Sequence, residues 1–108
     1  MSSAIDLVRE HFAALGSRTV EVPEWKLTIH ATPVTLAEKN KLYRRAKDSD
    51  MELLVDVLIL KATDRDGAKL FSPEDKITLL HKADSNVIAR VANFILAEAA
   101  PQTEELKN

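Results

Sequence analysis

Cysteine is absent from this sequence of 108 residues. Its absence excludes disulfide bonds, thiolate catalysis and metal sites built from cysteine. Glycine occurs only at Gly16 and Gly67, which is too few to build a loop that cradles phosphate groups. The one long apolar run, residues 51–61, contains charges, whereas a membrane-spanning helix needs about 20 consecutive apolar residues. We therefore expect no phosphate-binding loop and no membrane segment.

A strong excess of one charge is also missing. Fifteen Lys and Arg residues against seventeen Asp and Glu residues give a formal net charge of −2, which does not favour nucleic acid or an anionic membrane as a partner. The apolar fraction of 45% with 30% charged residues indicates a globular chain. The length predicts one small domain that would benefit from oligomerisation. Because no basic stretch precedes an apolar one at the start, we expect no secretion signal.

Catalytic motifs are missing as well. The three histidines, His11, His30 and His81, fall on three different predicted elements and outside any H-E-x-x-H arrangement. Neither a G-x-S-x-G motif nor a dinucleotide fingerprint occurs. Glu52 and Asp56 are one helical turn apart, where they form either a solvated edge or partners for basic side chains. We predict that the protein is not an enzyme and has neither a cofactor nor a metal site.

The apolar run from Met51 to Lys61 organises the predicted fold. At about 100° per residue its apolar positions cover about 260° of a helix, and Glu52 and Asp56 form a narrow polar strip. A helix that is apolar nearly all round is buried. A buried strand is the alternative, but the length and the acidic pair favour a helix. We predict that this central helix is the most buried element.

Strand-like alternation is confined to an N-terminal segment. Polar and apolar side chains alternate over residues 19–22 and 25–30, on either side of Pro23, which predicts a β-hairpin at about 18–31. A two-stranded ribbon is marginal alone, so it must lie on a helix or pair with another chain. Trp25 either takes part in binding a partner or only packs the hairpin onto the core. With strand addition as the mode of binding, the candidate partner-binding residues are Val20, Val22, Trp25 and Leu27.

Capping signals predict the other helices, at about residues 3–15, 36–47, 73–83 and 85–100. Three of the starts combine an N-cap hydroxyl with an acid three residues later, as in Ser72 and Asp75. Apolar periodicity then predicts the core-facing side chains. They are Ile5, Val8, Phe12 and Leu15 in the first helix, Leu36, Tyr43 and Ala46 in the second, Ile77 and Leu80 before the last, and Val87, Ile88, Val91, Ile95 and Ala99 in the last.

The predicted fold class is mainly α: a small single domain of about five helices with one short N-terminal β-hairpin. The domain covers residues 1–100, and residues 101–108 form a flexible polar tail. Asp64 to Gly67 is predicted to be a turn, since a calcium loop with Gly67 at its sixth position would place Pro73 at the essential twelfth. The basic run from Lys39 to Lys47 is predicted to be a solvated face, with phosphate binding as the alternative.

Three motifs follow one another in a characteristic order. They are Val20-Glu21-Val22-Pro23-Glu24-Trp25, Thr35-Leu36-Ala37-Glu38 and Asp64-Arg65-Asp66-Gly67-Ala68-Lys69-Leu70-Phe71. Their order and the total length resemble the tail assembly chaperones of long, non-contractile-tailed phages and their prophages. The resemblance runs from about Arg18 to Glu98. Many members of that family carry glycine after the tryptophan, where this chain has Lys26.

The resemblance implies a non-enzymatic protein of the host cytoplasm that binds and coats the tape measure protein before the tail tube polymerises. It implies a homo-oligomer with the tape measure protein as partner, the tail tube protein as a further candidate partner, and no membrane or nucleic acid. One alternative is a small nucleic-acid-binding or regulatory phage protein that uses the basic helix Lys39–Lys47. Salt-sensitive retention on DNA would favour it. Another is a virion structural subunit, which would be found in mature particles.

Overall fold

The computed structural model of the protein describes residues 3–45 and 50–97. Within them the chain forms five α-helices and one antiparallel hairpin, which confirms the predicted fold class. Two short 3-10 turns, Pro23–Trp25 and Pro73–Asp75, complete the regular structure. The elements are α1 (Ala4–Leu15), β1 (Arg18–Val22), β2 (Leu27–Ala31), α2 (Leu36–Arg45), α3 (Asp50–Lys61), α4 (Lys76–Lys82) and α5 (Ser85–Leu96).

The capping signals at Ser3 and Thr35 place the starts of α1 and α2 accurately. The Thr35 hydroxyl accepts a hydrogen bond from the Glu38 backbone N–H at 3.1 Å, and the Glu38 carboxylate accepts one from the Thr35 N–H at 3.0 Å. At Ser72 the Asp75 carboxylate accepts the backbone N–H of Ser72 at 2.8 Å. There the first turn is 3-10, so α4 begins at Lys76, later than expected. Such tight turns are common at helix termini.

The central helix is confirmed as the buried element. Val57 and Leu58 are fully buried on α3, which packs against α2, α4 and α5. The predicted inner face of α5 is also buried, at Val87, Ile88, Val91 and Ile95. The last helix ends at Leu96, before Pro101, while Ala99 and the predicted tail lie outside the described residues.

The hairpin forms where the alternation predicts it, but Trp25 is not a strand residue. Val22 pairs with Leu27, and the 3-10 turn between them carries Trp25, whose ring lies edge-on to Phe71 with centroids 6.1 Å apart. Lys26 closes this turn with φ 56°, a left-handed conformation that glycine adopts more readily. The turn therefore requires the same backbone shape that a glycine after the tryptophan would supply.

The predicted turn after α3 is confirmed and extends the hairpin. The Asp64 carboxylate accepts the backbone N–H groups of Asp66 and Ala68, at 2.8 and 3.0 Å. Thr63 forms one bridge with His30 and a second with Lys69. Both backbone hydrogen bonds between His30 and Thr63 are 2.9 Å long. The outer edge of β2 is therefore covered at its C-terminal half.

Helix α2 turns a different face to the core from the one expected. Leu36 and Tyr43 are 85% and 60% exposed, whereas Leu42 is buried; Ala46 lies outside the described residues. An ion pair between α2 and α3 accompanies this orientation of α2. The Glu38 carboxylate is 2.9 Å from the Nζ of Lys61, a buried residue of α3, and Glu38 lies on the same side of α2 as Leu42, one turn away.

Helix α4 departs from the expectation in the same way. Ile77 and Leu80 are exposed, and Leu79 is buried instead. Lys76, three residues before Leu79, forms ion pairs of 3.2 Å with Glu52 and with the buried Asp56 of α3. The acidic strip of the central helix therefore binds a basic side chain, and its Asp56 end is not a solvated edge.

Helix α1 has no buried residue. Ile5, Val8 and Phe12 are 57%, 61% and 41% exposed, so the expectation that they face the core is wrong. No α1 side chain belongs to the core cluster or packs against it. The periodicity predicts the helix itself correctly, but it cannot tell whether the apolar face of α1 meets its own core or another molecule.

Candidate protein-binding surfaces

The described residues contain neither a metal-ligating cluster of three His, Cys, Asp or Glu side chains nor a helix long and apolar enough to span a membrane. The described part of the chain also exposes apolar surfaces and an open hairpin edge with which it could contact another molecule. They lie on the hairpin, α1, α2 and α4.

The four candidate residues of the hairpin lie around its inner face. Directly paired residues share one face of a ribbon, and the register pairs Val20 with Ile29 and Val22 with Leu27. Val22 and Ile29 are fully buried, and Val20 and Trp25 pack against the core. Leu27 is half-buried. In this conformation Val22 has no surface for a partner, while Val20, Trp25 and Leu27 keep part of theirs.

The outer edge of β1, on the side away from β2, has backbone N–H and C=O groups that are not paired with another strand of the described chain. Pairs in an antiparallel ladder alternate between hydrogen-bonded and non-hydrogen-bonded, and His30 uses both its backbone groups on Thr63. Its partner Thr19, and by alternation Glu21, therefore direct their N–H and C=O groups away from β2. Within the described residues no main-chain hydrogen bond covers this edge. It is a short template for strand addition.

Two arginine contacts fix the hairpin to α5. At the start of β1, Nη2 of Arg18 donates to the carbonyl oxygens of Phe94, Ile95 and Ala97, at 2.9, 3.1 and 3.1 Å, and its guanidinium lies 4.8 Å from the centroid of the Phe94 ring. This satisfies carbonyls that the end of a helix leaves without partners.

The second contact lies at the turn of the hairpin. Arg90 donates two hydrogen bonds of 2.8 Å to the Glu24 carboxylate. The hydrogen bond from Arg90 lowers the pKa of Glu24 to about 2. Together with Arg18, this pair holds both ends of β1 against α5, so the open edge is presented by a braced strand.

The exposed faces of α1 and α4 are apolar surfaces that sequence reasoning assigned to the core. On α4, Ile77 is 71% and Leu80 is 39% exposed. On α1, Ile5, Val8 and Phe12 of the predicted inner face are exposed, and Leu15 is half-buried. Their exposure depends on the tertiary structure, because the core cluster forms without the side chains of these faces.

The surface of α2 combines apolar and basic side chains. Leu36 and Tyr43 are two turns apart on its outer side, where they line a shallow depression together with Lys39 and Asn40. Lys39, Lys41 and Arg44 are exposed, as predicted for a solvated face. Residues two apart do not face each other on a helix, so Lys39 and Lys41 lie on opposite sides. Lys41 and Arg44, which are three residues apart, are neighbours on one side of the helix, and Lys39 is not part of that pair.

Comparison with solved structures confirms the resemblance indicated by the motif order. The chain has the fold of the tail assembly chaperone of bacteriophage HK97, with a TM-score of 0.55 and 18% sequence identity over 91% of this chain and 100% of that chain. No protein-family model and no curated protein sequence matches the chain. At this identity the similarity shows a shared fold.

Proposed function

We propose that this protein is a non-enzymatic phage tail assembly chaperone that binds and coats the tape measure protein before the tail tube polymerises. The observation that carries the proposal is the shared fold with the HK97 tail assembly chaperone over the full length of that chain. The order of the motifs from Val20 to Phe71 supports it independently. The site of action would be the host cytoplasm.

The surfaces of the domain suit such a role. A tape measure protein is a long, helix-prone chain with apolar stripes that need cover until the tube encloses it. This domain exposes large apolar side chains on α1, α2 and α4, including Val8, Leu36 and Ile77. Each such face is small, so one contact is weak. Many copies aligned on a long partner, and in contact with one another as a homo-oligomer, would bind it firmly through multivalency.

The hairpin is proposed as one of the contact sites. Its open β1 edge can accept an extended segment through backbone hydrogen bonds, and Val20, Trp25 and Leu27 offer part of their side chains beside it. Val22 would act by holding the strand on the core. The tail tube protein is a further candidate partner, at the stage when it replaces the chaperone.

The decisive experiment is co-expression with the tape measure protein of the same phage, followed by pull-down and by measurement of its soluble fraction. We expect this protein to capture the tape measure protein and keep it in solution, and we expect the mass of the purified protein to rise with concentration in sedimentation velocity. A folded protein that does neither to its tape measure protein contradicts the proposal. Retention on DNA that weakens with salt would support the nucleic-acid alternative instead.

A further inference from the structure

The apolar residues of α1 have coiled-coil spacing. Ile5, Val8, Phe12 and Leu15 are separated by three, four and three residues, which are the a and d positions of a heptad. These four residues form a seam along one side of α1 that has the geometry to receive another helix. Leu7 is a further exposed apolar residue of α1, at the c position beside this seam.

The rest of the domain does not use this seam. No α1 residue is buried or belongs to the core cluster. Within the described residues, the side-chain hydrogen bonds and ion pairs of α1 stay inside the helix and its cap, as between Asp6 and Ser3 or Arg9. Gly16, with φ 60°, and Ser17 connect α1 to β1. The seam is therefore free to receive a helix from another molecule.

The charges beside the seam define that helix. With Ile5 and Phe12 at the a position, Arg9 and His11 occupy the flanking e and g positions. Asp6 and Glu10 occupy the outer b and f positions, from which Asp6 forms an exposed ion pair of 3.6 Å with Arg9, a contact of little energy that a partner carboxylate can replace. We propose that α1 docks an amphipathic partner helix that has apolar residues at a and d and acidic residues at e and g. This partner would place its carboxylates beside Arg9 and His11.

Other occupants fit these charges less well. In an antiparallel pair with a second α1, e positions face e positions, so Arg9 would meet Arg9 of the other copy. The α2 surface of a second copy brings Lys39 and further basic side chains. A membrane-surface helix carries a basic polar face, whereas that of α1 includes Asp6 and Glu10.

The length of α1 predicts the strength of the contact. Its 12 residues extend about 18 Å, so one docked helix buries less than a standard protein interface. Single contacts are weak, and several copies on one long helix are needed for firm binding. That the natural helix belongs to the tape measure protein rests on the proposed function, whereas the chemistry of the seam does not.

The test uses designed peptides and the full chain. Two four-heptad peptides carry the same apolar residues at a and d, with Glu at every e and g position in one and Lys in the other. Each is titrated into the ¹⁵N-labelled protein, and amide shifts are followed by NMR. We expect the Glu peptide to shift the amides of α1 and to bind about tenfold or more tightly than the Lys peptide.

Two neighbouring substitutions localise the contact. Val8→Asp places a charge in the seam and should weaken binding of the Glu peptide about tenfold or more. Leu7→Asp is the matched control, because Leu7 is an equally exposed apolar residue outside the seam, and it should change binding less than about twofold. Both variants fold, since neither residue contributes to the core, and circular dichroism verifies this.

Several results would overturn the proposal. They are no binding of the Glu peptide, equal binding of both peptides, or equal effects of the two substitutions. If Val8→Asp lowers the sedimenting mass of the chain alone and no peptide binds, the seam belongs to a second copy. Capture of the tape measure protein by Val8→Asp at the wild-type level removes α1 from that contact and leaves the proposed function intact. If the Glu peptide binds but the wild type does not capture the tape measure protein, the proposed function is contradicted and the proposal for the α1 seam stands.

Discussion

Asp56 is buried in the middle of α3, and its Oδ1 atom lies 3.2 Å from Nζ of Lys76 on α4. Glu52, one turn earlier on α3, is also 3.2 Å from that ammonium group. Desolvation alone would lower the pKa of Lys76, but hydrogen bonds to Asp56 and Glu52 outweigh it and raise the pKa. Lys76 thus ties α4 to the central helix, which is why Leu79 faces inward and Ile77 faces water.

Replacing Lys76 by methionine should destabilise the protein by about 1 to 3 kcal/mol, because Asp56 would be left as a buried charge without its cation. This range lies below that of a fully buried pair, since the Lys76 side chain is 31% exposed. Urea unfolding measures the loss. Lys82→Met, the same change at an exposed position of α4, should stay within about 0.5 kcal/mol; equal losses would contradict the role of the pair.

Truncation of the central helix should have a larger effect. Leu58→Ala removes a fully buried side chain and should cost about 2 to 5 kcal/mol. Leu54→Ala should cost less, because Leu54 is only half-buried. Lys41→Ala on the exposed side of α2 is the control and should stay within about 0.5 kcal/mol. Chemical denaturation of the three variants ranks them, and a loss at Lys41 as large as that at Leu58 would contradict the assignment of core and surface.

The pair between Glu24 and Arg90 predicts a contribution to stability that depends on pH. The Arg90 hydrogen bond lowers the pKa of Glu24 from 4.5 to about 2. A lowered folded-state pKa stabilises the protein above the unfolded value, and this contribution disappears as the pH falls through the folded value. Wild type should therefore exceed Glu24→Gln in stability at pH 6, with the difference shrinking between pH 4.5 and 2.

The matched control for this pH dependence is Glu10→Gln. Glu10 is exposed on α1 and has no ion pair or side-chain hydrogen bond within the described chain. Thermal unfolding of all three proteins from pH 2 to pH 6 gives the comparison. A Glu24→Gln difference that stays constant over this range would show that the pair does not act through the charge of Glu24.

The open edge of β1 can be blocked without touching the ladder of the hairpin. Glu21→Pro removes an N–H group that points away from β2, and proline is tolerated at the edge of a sheet. If partners bind by strand addition, this variant should capture several-fold less tape measure protein. Glu21→Gln keeps the N–H group while removing the charge, so it should behave as wild type. Unchanged capture by a folded Glu21→Pro variant would exclude the edge as a contact.

Local signals in the sequence account for a large part of the fold. The caps at Ser3 and Thr35, the turn after Asp64, the apolar run of α3 and the inner face of α5 depend on contacts within a few residues or on one strong periodicity. Those features are confirmed by the observed hydrogen bonds and burial. The order of the motifs also pointed to the chaperone fold, because it preserves the succession of these local elements.

The candidate binding surfaces could be predicted only in part. The sequence predicts the position of the hairpin correctly, but the contact of Trp25 with Phe71 and the coverage of β2 by Thr63 depend on segments that are distant along the chain. These contacts determine which edge stays open. The apolar face of α1 was visible as a pattern, yet its exposure follows from a core that is already complete without it.

By itself the sequence determined where the helices and the hairpin form, since caps, turns and periodicity act over a few residues. Only the tertiary structure decided which faces are covered. In α2 and α4 the apolar residues that periodicity assigns to the core point outward, and Leu42 and Leu79 are buried in their place. The inward sides also carry Glu38 and Lys76, which form ion pairs with Lys61 and Asp56 of α3. A periodic pattern counts charged residues as outward, so it cannot anticipate a charged side chain that turns inward to meet a buried partner.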